Sequence, residues 1–172
     1  GPVAGRLNWS QVTGDELPDL DFSMDATDEL AATGSLALDA FGFVVAKGTF
    51  DLVKKSGVAI DDGNLVFTAD VLQFSTTLSG FAGIGGSLSQ SPVVTDVSTV
   101  TVVPGGVGFS LTNASIDLAI LQDTSTPANR YLGLEASLES VQLLGIPDLT
   151  FYASGAVQVN NGPMAGRLNW SQ

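Results

Sequence analysis

The chain has 172 residues, of which 44% are hydrophobic and 14% are charged, so it is long and apolar enough to form one domain with a buried core. Six basic residues stand against eighteen acidic ones, and a formal net charge of −12 argues against nucleic acid as a partner, because binding a polyanion relies on lysine and arginine. Cysteine and histidine are absent, which excludes disulfides, thiolate and imidazole metal ligands, and the serine–histidine and cysteine–histidine pairs of nucleophilic catalysis.

The chain begins with GPVAGRLNWSQ, and residues 162–172 repeat this segment as GPMAGRLNWSQ. Ten of the eleven positions are identical without a gap, which sets a period of 161 residues. Self-similarity at a fixed period predicts that the chain is one unit of a tandem array and that residues 162–172 begin the next repeat. Within this junction, Leu7 and Trp9, and likewise Leu168 and Trp170, alternate with polar residues, and we expect them to pack where two units meet.

An acidic leader, residues 1–34, precedes the remainder of the unit. It contains DELPDLDFSMDATDE at positions 15–29, in which seven of fifteen residues are acidic. Read as a strand, this stretch places Asp19, Asp21 and Asp25 on one face, where closely spaced carboxylates would suit calcium. The alternative is a solvated acidic face above a buried apolar one.

Alternation of apolar and polar residues with period two dominates after the leader and predicts strands. The pattern changes phase after Val71 and after Leu138, which predicts a bulge or a tight corner at each place. A single helical turn is predicted over Asp25–Ala32, and Lys55-Ser56-Gly57 is predicted to end a strand. The predicted strands are Ser35–Phe41, Phe43–Val53, Leu65–Leu78, Val93–Val103, Val107–Leu121, Leu132–Leu144 and Leu149–Val159.

A fainter repeat divides the unit into two halves. GFVVAKGTFDL at residues 42–52 aligns with GFSLTNASIDL at residues 108–118, an offset of 66. The segments that follow also align, so we assign a first half-repeat to residues 35–97 and a second to residues 98–163.

These patterns predict an all-β fold. The nested repeats favour an elongated repetitive architecture, either solenoid-like or made of stacked antiparallel sheets, in which each unit buries a face against the next. The junction contains no flexible glycine, serine or proline run, which also favours units that share structure. A discrete β-sandwich is the alternative.

The stretches LSGFAGIGGSLSQ, LALDAFGFVVAKGTFDL and LLGIPDLTFYASGAVQVNNGP resemble repeats of giant acidic surface and secreted proteins of bacteria, such as RTX-type adhesins and exoproteins. The resemblance implies a stalk or spacer module with an extracellular or cell-surface location. The nonapeptide GGxGxDxUx of RTX calcium rolls is absent, so the resemblance does not extend to that mode of calcium binding.

Two functions follow as hypotheses. The first is a structural repeat module that extends or assembles a large extracellular protein or filament without catalysis. Its partners would be neighbouring repeats or identical subunits, with calcium as the candidate cofactor and no membrane insertion, since no run of eighteen apolar residues exists. The second is a binding module for carbohydrate or an apolar ligand, which would expose aromatic residues or an apolar face.

Overall fold

A computed structural model describes residues 7–8, 24–163 and 166–170. Within them the chain forms eight strands and no helix, which confirms the all-β prediction. The strands are β1 (Asp28–Ala40), β2 (Val44–Asp61), β3 (Val66–Ile84), β4 (Ser87–Leu88), β5 (Val102–Val103), β6 (Val107–Asp123), β7 (Arg130–Leu144) and β8 (Tyr152–Asn161).

The six long strands form one antiparallel sheet in the order β1-β2-β3-β6-β7-β8. Every long strand therefore pairs with its neighbours along the chain, except that β4 and β5 are inserted between β3 and β6 and form a separate two-stranded sheet. The large sheet is open, with β1 and β8 as its edges. Of the architectures predicted from the sequence, the antiparallel one is found.

The period-two pattern gives the sheet two unlike faces. Paired residues point to the same side of a sheet, so the observed register assigns each side chain to a face. One side, the apolar face, is formed by aliphatic and aromatic side chains from all six strands. It includes Leu36 and Leu38 of β1, Phe50 and Leu52 of β2, Leu72, Phe74 and Leu78 of β3, Ile116, Leu118 and Ile120 of β6, Leu132, Leu134 and Leu138 of β7, and Val157 and Val159 of β8.

The opposite side, the polar face, is hydrophilic in its middle and apolar at its two ends. One cross-strand row there contains Asp51, Ser75, Asp117, Glu135 and Gln158, and hydroxyl groups form the next row. In that second row, the side chains of two threonines and of two serines are 2.9 and 2.7 Å apart.

Each end of the polar face carries a small buried cluster. At the end where β1 turns into β2, the Phe41 end, Val45 is covered by Leu88 and Val100 from the β4–β5 region. At the other end, the junction end, β3, β6 and β7 supply a second cluster that includes Val71, Leu121 and Tyr131. In the part of the chain that the structure describes, the core therefore consists of two separate clusters on one face.

Two local predictions are wrong because side chains and glycine redirect the backbone. The helical turn predicted over Asp25–Ala32 is a tight turn followed by β1, since the Asp25 carboxylate caps the turn by accepting the Thr27 N–H at 2.7 Å. The residues Lys55-Ser56-Gly57 do not end β2. They form a bulge within it, with Gly57 at φ 67°, and β2 continues to Asp61.

The strand predicted over Val93–Val103 is also wrong, except at its last two residues. The Gln90 side-chain oxygen accepts the Thr95 N–H at 3.0 Å, and the Asp96 carboxylate accepts the Ser98 N–H at 2.8 Å. These local bonds satisfy the backbone and hold the segment as turns. The other six predicted strands overlap the six long strands.

The two aligned segments of the internal repeat lie at related places. All but the first two residues of 42–52 fall on β2, and residues 108–118 fall on β6. Each of these strands pairs with the strand that follows its segment in the alignment. No helix in the described part of the chain is long and apolar enough to cross a membrane.

Candidate functional site: the docked junction segment

The second copy of the repeated segment is built into the junction end of the sheet. Its described part, Gly166–Trp170, is called the junction segment below. Leu168 is only 4% exposed and belongs to the same buried cluster as Val71, Leu121 and Tyr131. Burying one leucine side chain stabilises a protein by about 1.5–3 kcal/mol, so the segment contributes to the core.

Two hydrogen bonds fix the main chain of this segment. The Asn169 N–H donates to Asp62 Oδ2 at 2.9 Å, and Asn160 Nδ2 donates to the Leu168 carbonyl at 2.7 Å. The first bond joins residues 107 positions apart in sequence, and the second anchors the segment to the end of β8. Together they set the position of Leu168 over the surface that receives it, called the groove below, which includes Val71, Leu121 and Tyr131.

Hydrogen bonds within the turn that follows Asp62 orient its carboxylate for this contact. Its Oδ1 accepts the N–H groups of Asn64 at 2.9 Å and Leu65 at 2.6 Å, and the residue is 5% exposed. The backbone N–H of Asn169, followed by those of Leu65 and Asn64, holds the pKa of the Asp62 carboxyl below its usual value. The residue is thus an ionised acceptor placed at the end of the groove.

Trp170 packs against the sheet at Gly133. A Cβ atom at Gly133 would lie 2.8 Å from the indole Cε2, closer than real Cβ contacts, so the ring occupies space that only glycine leaves. The ring remains 39% exposed. It therefore covers the polar face and also presents a surface to solvent.

Beside Trp170 lies an open cleft of about 810 Å³ on the polar face. Carboxylates and amides of the polar row line its floor, with Asp117 and Glu135 directly opposite each other on β6 and β7. The cleft can accept hydrogen bonds and attract cations. Across the described residues, no group of three or more acidic side chains is arranged to hold a metal ion.

The predicted junction residues differ in burial between the two copies. Leu168 is buried and Trp170 covers Gly133, whereas Leu7 is 56% exposed and Trp9 lies outside the described residues. The two copies of one sequence thus supply a docked leucine and an exposed one.

Of the proposed calcium ligands, Asp19 and Asp21 lie outside the described residues. The Asp25 Oδ1 accepts the Thr27 hydroxyl at 2.6 Å as well as its N–H, and these bonds lower the pKa of the Asp25 carboxyl. The calcium site stays a prediction.

Sequence reasoning missed the residues that receive the junction segment. Asp62 is part of Asp61-Asp62-Gly63, which reads simply as a turn, and nothing local indicates a partner 107 residues away. Gly133 did carry a signal, since a glycine between two leucines inside a strand marks a place where another group approaches closely.

The apolar face is a second feature that a function has to account for. Of the described strands, β4 and β5 are the ones that lie outside the large sheet, and they pack on its polar side. Leu36, Leu38 and Val157 are 48%, 51% and 60% exposed. A contiguous apolar surface of this kind typically marks an interaction site.

Aromatic side chains are also exposed at the Phe41 end. Phe41 at the tip of the β1–β2 turn is 96% exposed, and Phe43 is 60% exposed. Phe109 and Phe151 meet edge to face nearby, with ring centroids 6.3 Å apart. This end of the unit is apolar without being covered.

No protein-family model, curated protein or solved structure matches the chain. The features that bear on function are therefore the docked junction segment, the cleft beside it and the apolar face, on which no other described strand packs.

Proposed function

We propose that the chain is a structural repeat module that extends or assembles a large extracellular protein or filament, without catalysis. Its partners are neighbouring repeats of the same chain or identical subunits. The observation that carries this proposal is the burial of Leu168, because a segment with the sequence of the start of a unit completes the core of the unit before it.

The mechanism is mechanical coupling between units. When the first residues of one unit fill the junction end of the previous one, the two cannot separate without exposing a leucine and breaking both main-chain hydrogen bonds. Rigid coupling of this kind makes an array stiff, as in other repeat proteins. The apolar face, with exposed Leu36, Leu38 and Val157, offers further area for contact between units.

A two-unit chain tests this proposal. Residues 1–161 followed by residues 1–172 preserve the natural period, so that the second unit supplies the junction segment of the first. We expect a single cooperative unfolding transition and, by small-angle X-ray scattering, a fixed separation between the two units.

The matched control carries Leu7→Asp and Trp9→Ala in the second unit only, which removes the coupling and leaves the last junction segment intact. We expect two separate transitions and a broad distribution of separations in this control. If the unmodified two-unit chain already behaves like two independent units on a flexible linker, the structural proposal is wrong.

The apolar face favours a second candidate, a module that binds an apolar ligand. Val157 and Gln158 are adjacent residues of β8 on opposite faces, and both are exposed, so they form a matched pair. A ligand function predicts that the monomer binds a fluorescent apolar probe saturably, that Val157→Lys weakens binding and that Gln158→Lys does not. Equal binding by both variants would contradict it.

A further inference from the structure

We propose that the junction end of one copy is a receptor for the N-terminal junction sequence of a second copy of this chain. In such a complex Leu7, Asn8 and Trp9 occupy the places of Leu168, Asn169 and Trp170. The inference deepens the proposed function and rests on it in treating the two segments as one structural element.

The two copies of the junction sequence are identical over eight residues but differ in burial. Residues 4–11 and 165–172 both read AGRLNWSQ. Leu168 is 4% exposed and its counterpart Leu7 is 56% exposed. A groove that binds one of these segments has the same shape and chemistry for the other, because every side chain that it contacts is the same.

The receptor recognises the segment at three points. An apolar pocket at Val71, Leu121 and Tyr131 takes the leucine side chain. The Asp62 carboxylate accepts the N–H, and the Asn160 amide donates to the C=O, of the peptide bond that follows that leucine. Gly133 leaves room for the indole two residues further on.

The tether decides which copy is bound. In one chain only a few residues separate the end of β8 at Asn161 from Leu168, and a short tether gives an effective concentration of the order of mM. The chain's own segment therefore holds the groove at ordinary protein concentrations. A second copy enters when that segment is weakened, and since donor and receptor surfaces differ, the contact is head to tail and can continue from copy to copy.

The test uses the full chain with Leu168→Asp and Trp170→Ala, which weakens its own segment and leaves the groove and the N-terminal segment unchanged. We expect it to bind a labelled peptide of sequence AGRLNWSQ saturably by fluorescence anisotropy, and to form dimers and longer species with increasing concentration in sedimentation velocity. Leu7→Asp in the peptide should weaken binding at least about 30-fold through loss of the buried leucine. Leu7→Asp in the chain should restore the monomer.

A folded double variant that neither binds the peptide nor associates at several hundred micromolar would overturn the proposal. If the double variant does not fold alone, the peptide should restore its far-ultraviolet circular dichroism spectrum, and failure to restore it overturns the proposal equally. A positive result here combined with independent units in the two-unit chain would separate this receptor from the structural function.

Discussion

Leucine occurs at the same place in both copies of the junction sequence, so Leu168→Ala and Leu7→Ala are the same substitution within the same eight residues. Leu168 is 4% exposed within the cluster at the junction end, whereas Leu7 is 56% exposed. Only the first change should remove buried apolar surface and leave a cavity.

The expected magnitude follows from that burial. Leucine-to-alanine changes in a packed core cost about 2–5 kcal/mol, and we place Leu168→Ala near the lower limit, at about 2 kcal/mol, because the junction segment can detach without unfolding the sheet. For a chain of this size that loss lowers the melting temperature by about 4–8 °C. Leu7→Ala should change the free energy of unfolding by less than about 0.5 kcal/mol.

Urea unfolding followed by far-ultraviolet circular dichroism measures both variants against the unchanged chain, with thermal melts as a second assay. A loss of stability in Leu168→Ala no larger than that in Leu7→Ala would refute this expectation. That result would mean that the docked position of Leu168 does not contribute to the stability of the fold.

Three further predictions concern the Trp170 contact, the Asp62 carboxylate and the acidic leader. In a Trp9→Phe background, Gly133→Ala should displace Trp170 and shift its fluorescence to longer wavelength. Gly155→Ala is the control, because an added Cβ there meets nothing within 4 Å, and it should leave the spectrum unchanged. Equal spectra for both variants would contradict the contact. Asp62→Asn should lower the melting temperature at pH 6. Because the pKa of Asp62 is lowered in the folded state, the carboxylate stabilises the fold above the unfolded pKa of about 3.9, and this stabilisation is lost as pH falls through the folded value. The variant should therefore lose less melting temperature than the unchanged chain between pH 5 and 3. Parallel pH profiles of the two chains would argue against this role. If the acidic leader binds calcium, millimolar calcium should raise the melting temperature relative to chelator, and an unchanged temperature would reject the site.

The strands could be predicted because alternation is a local property of the sequence. Leu132, Leu134 and Leu138 specify the apolar face of β7, and the phase change after Leu138 coincides with a register shift between β7 and β8. The bulge predicted after Val71 is not in β3, which pairs with β6 without a shift there, and the extra residues belong to β2, opposite Asp70. The pattern changes phase because Ala69 and Val71 are buried in the cluster on the polar face, whereas Leu72 lies on the apolar face.

The junction segment could be predicted from the sequence, but the residues that receive it could not. The repeat identified Leu168 and Trp170 as junction residues, because identity between distant segments is visible in one sequence. Their receptor was not visible, since Asp62, Asn160 and Gly133 come from three separate elements that only the folded sheet brings together. Likewise, Val93–Val103 has strand composition, but side-chain hydrogen bonds from Gln90 and Asp96 take up its backbone groups.

The even number of strands in the large sheet determines how a further unit would pair with its edge. With six antiparallel strands, β8 runs opposite to β1, and the chain leaves the sheet at the end where it entered. A strand equivalent to β1, added next to β8, would therefore run antiparallel to it and continue the meander without a crossover connection. β8 carries no charged residue and no proline from Tyr152 to Asn161, so it lacks the usual protection of an edge strand. In the tandem array proposed above, successive units would thus share a single ribbon whose apolar surface stays on one side along its whole length.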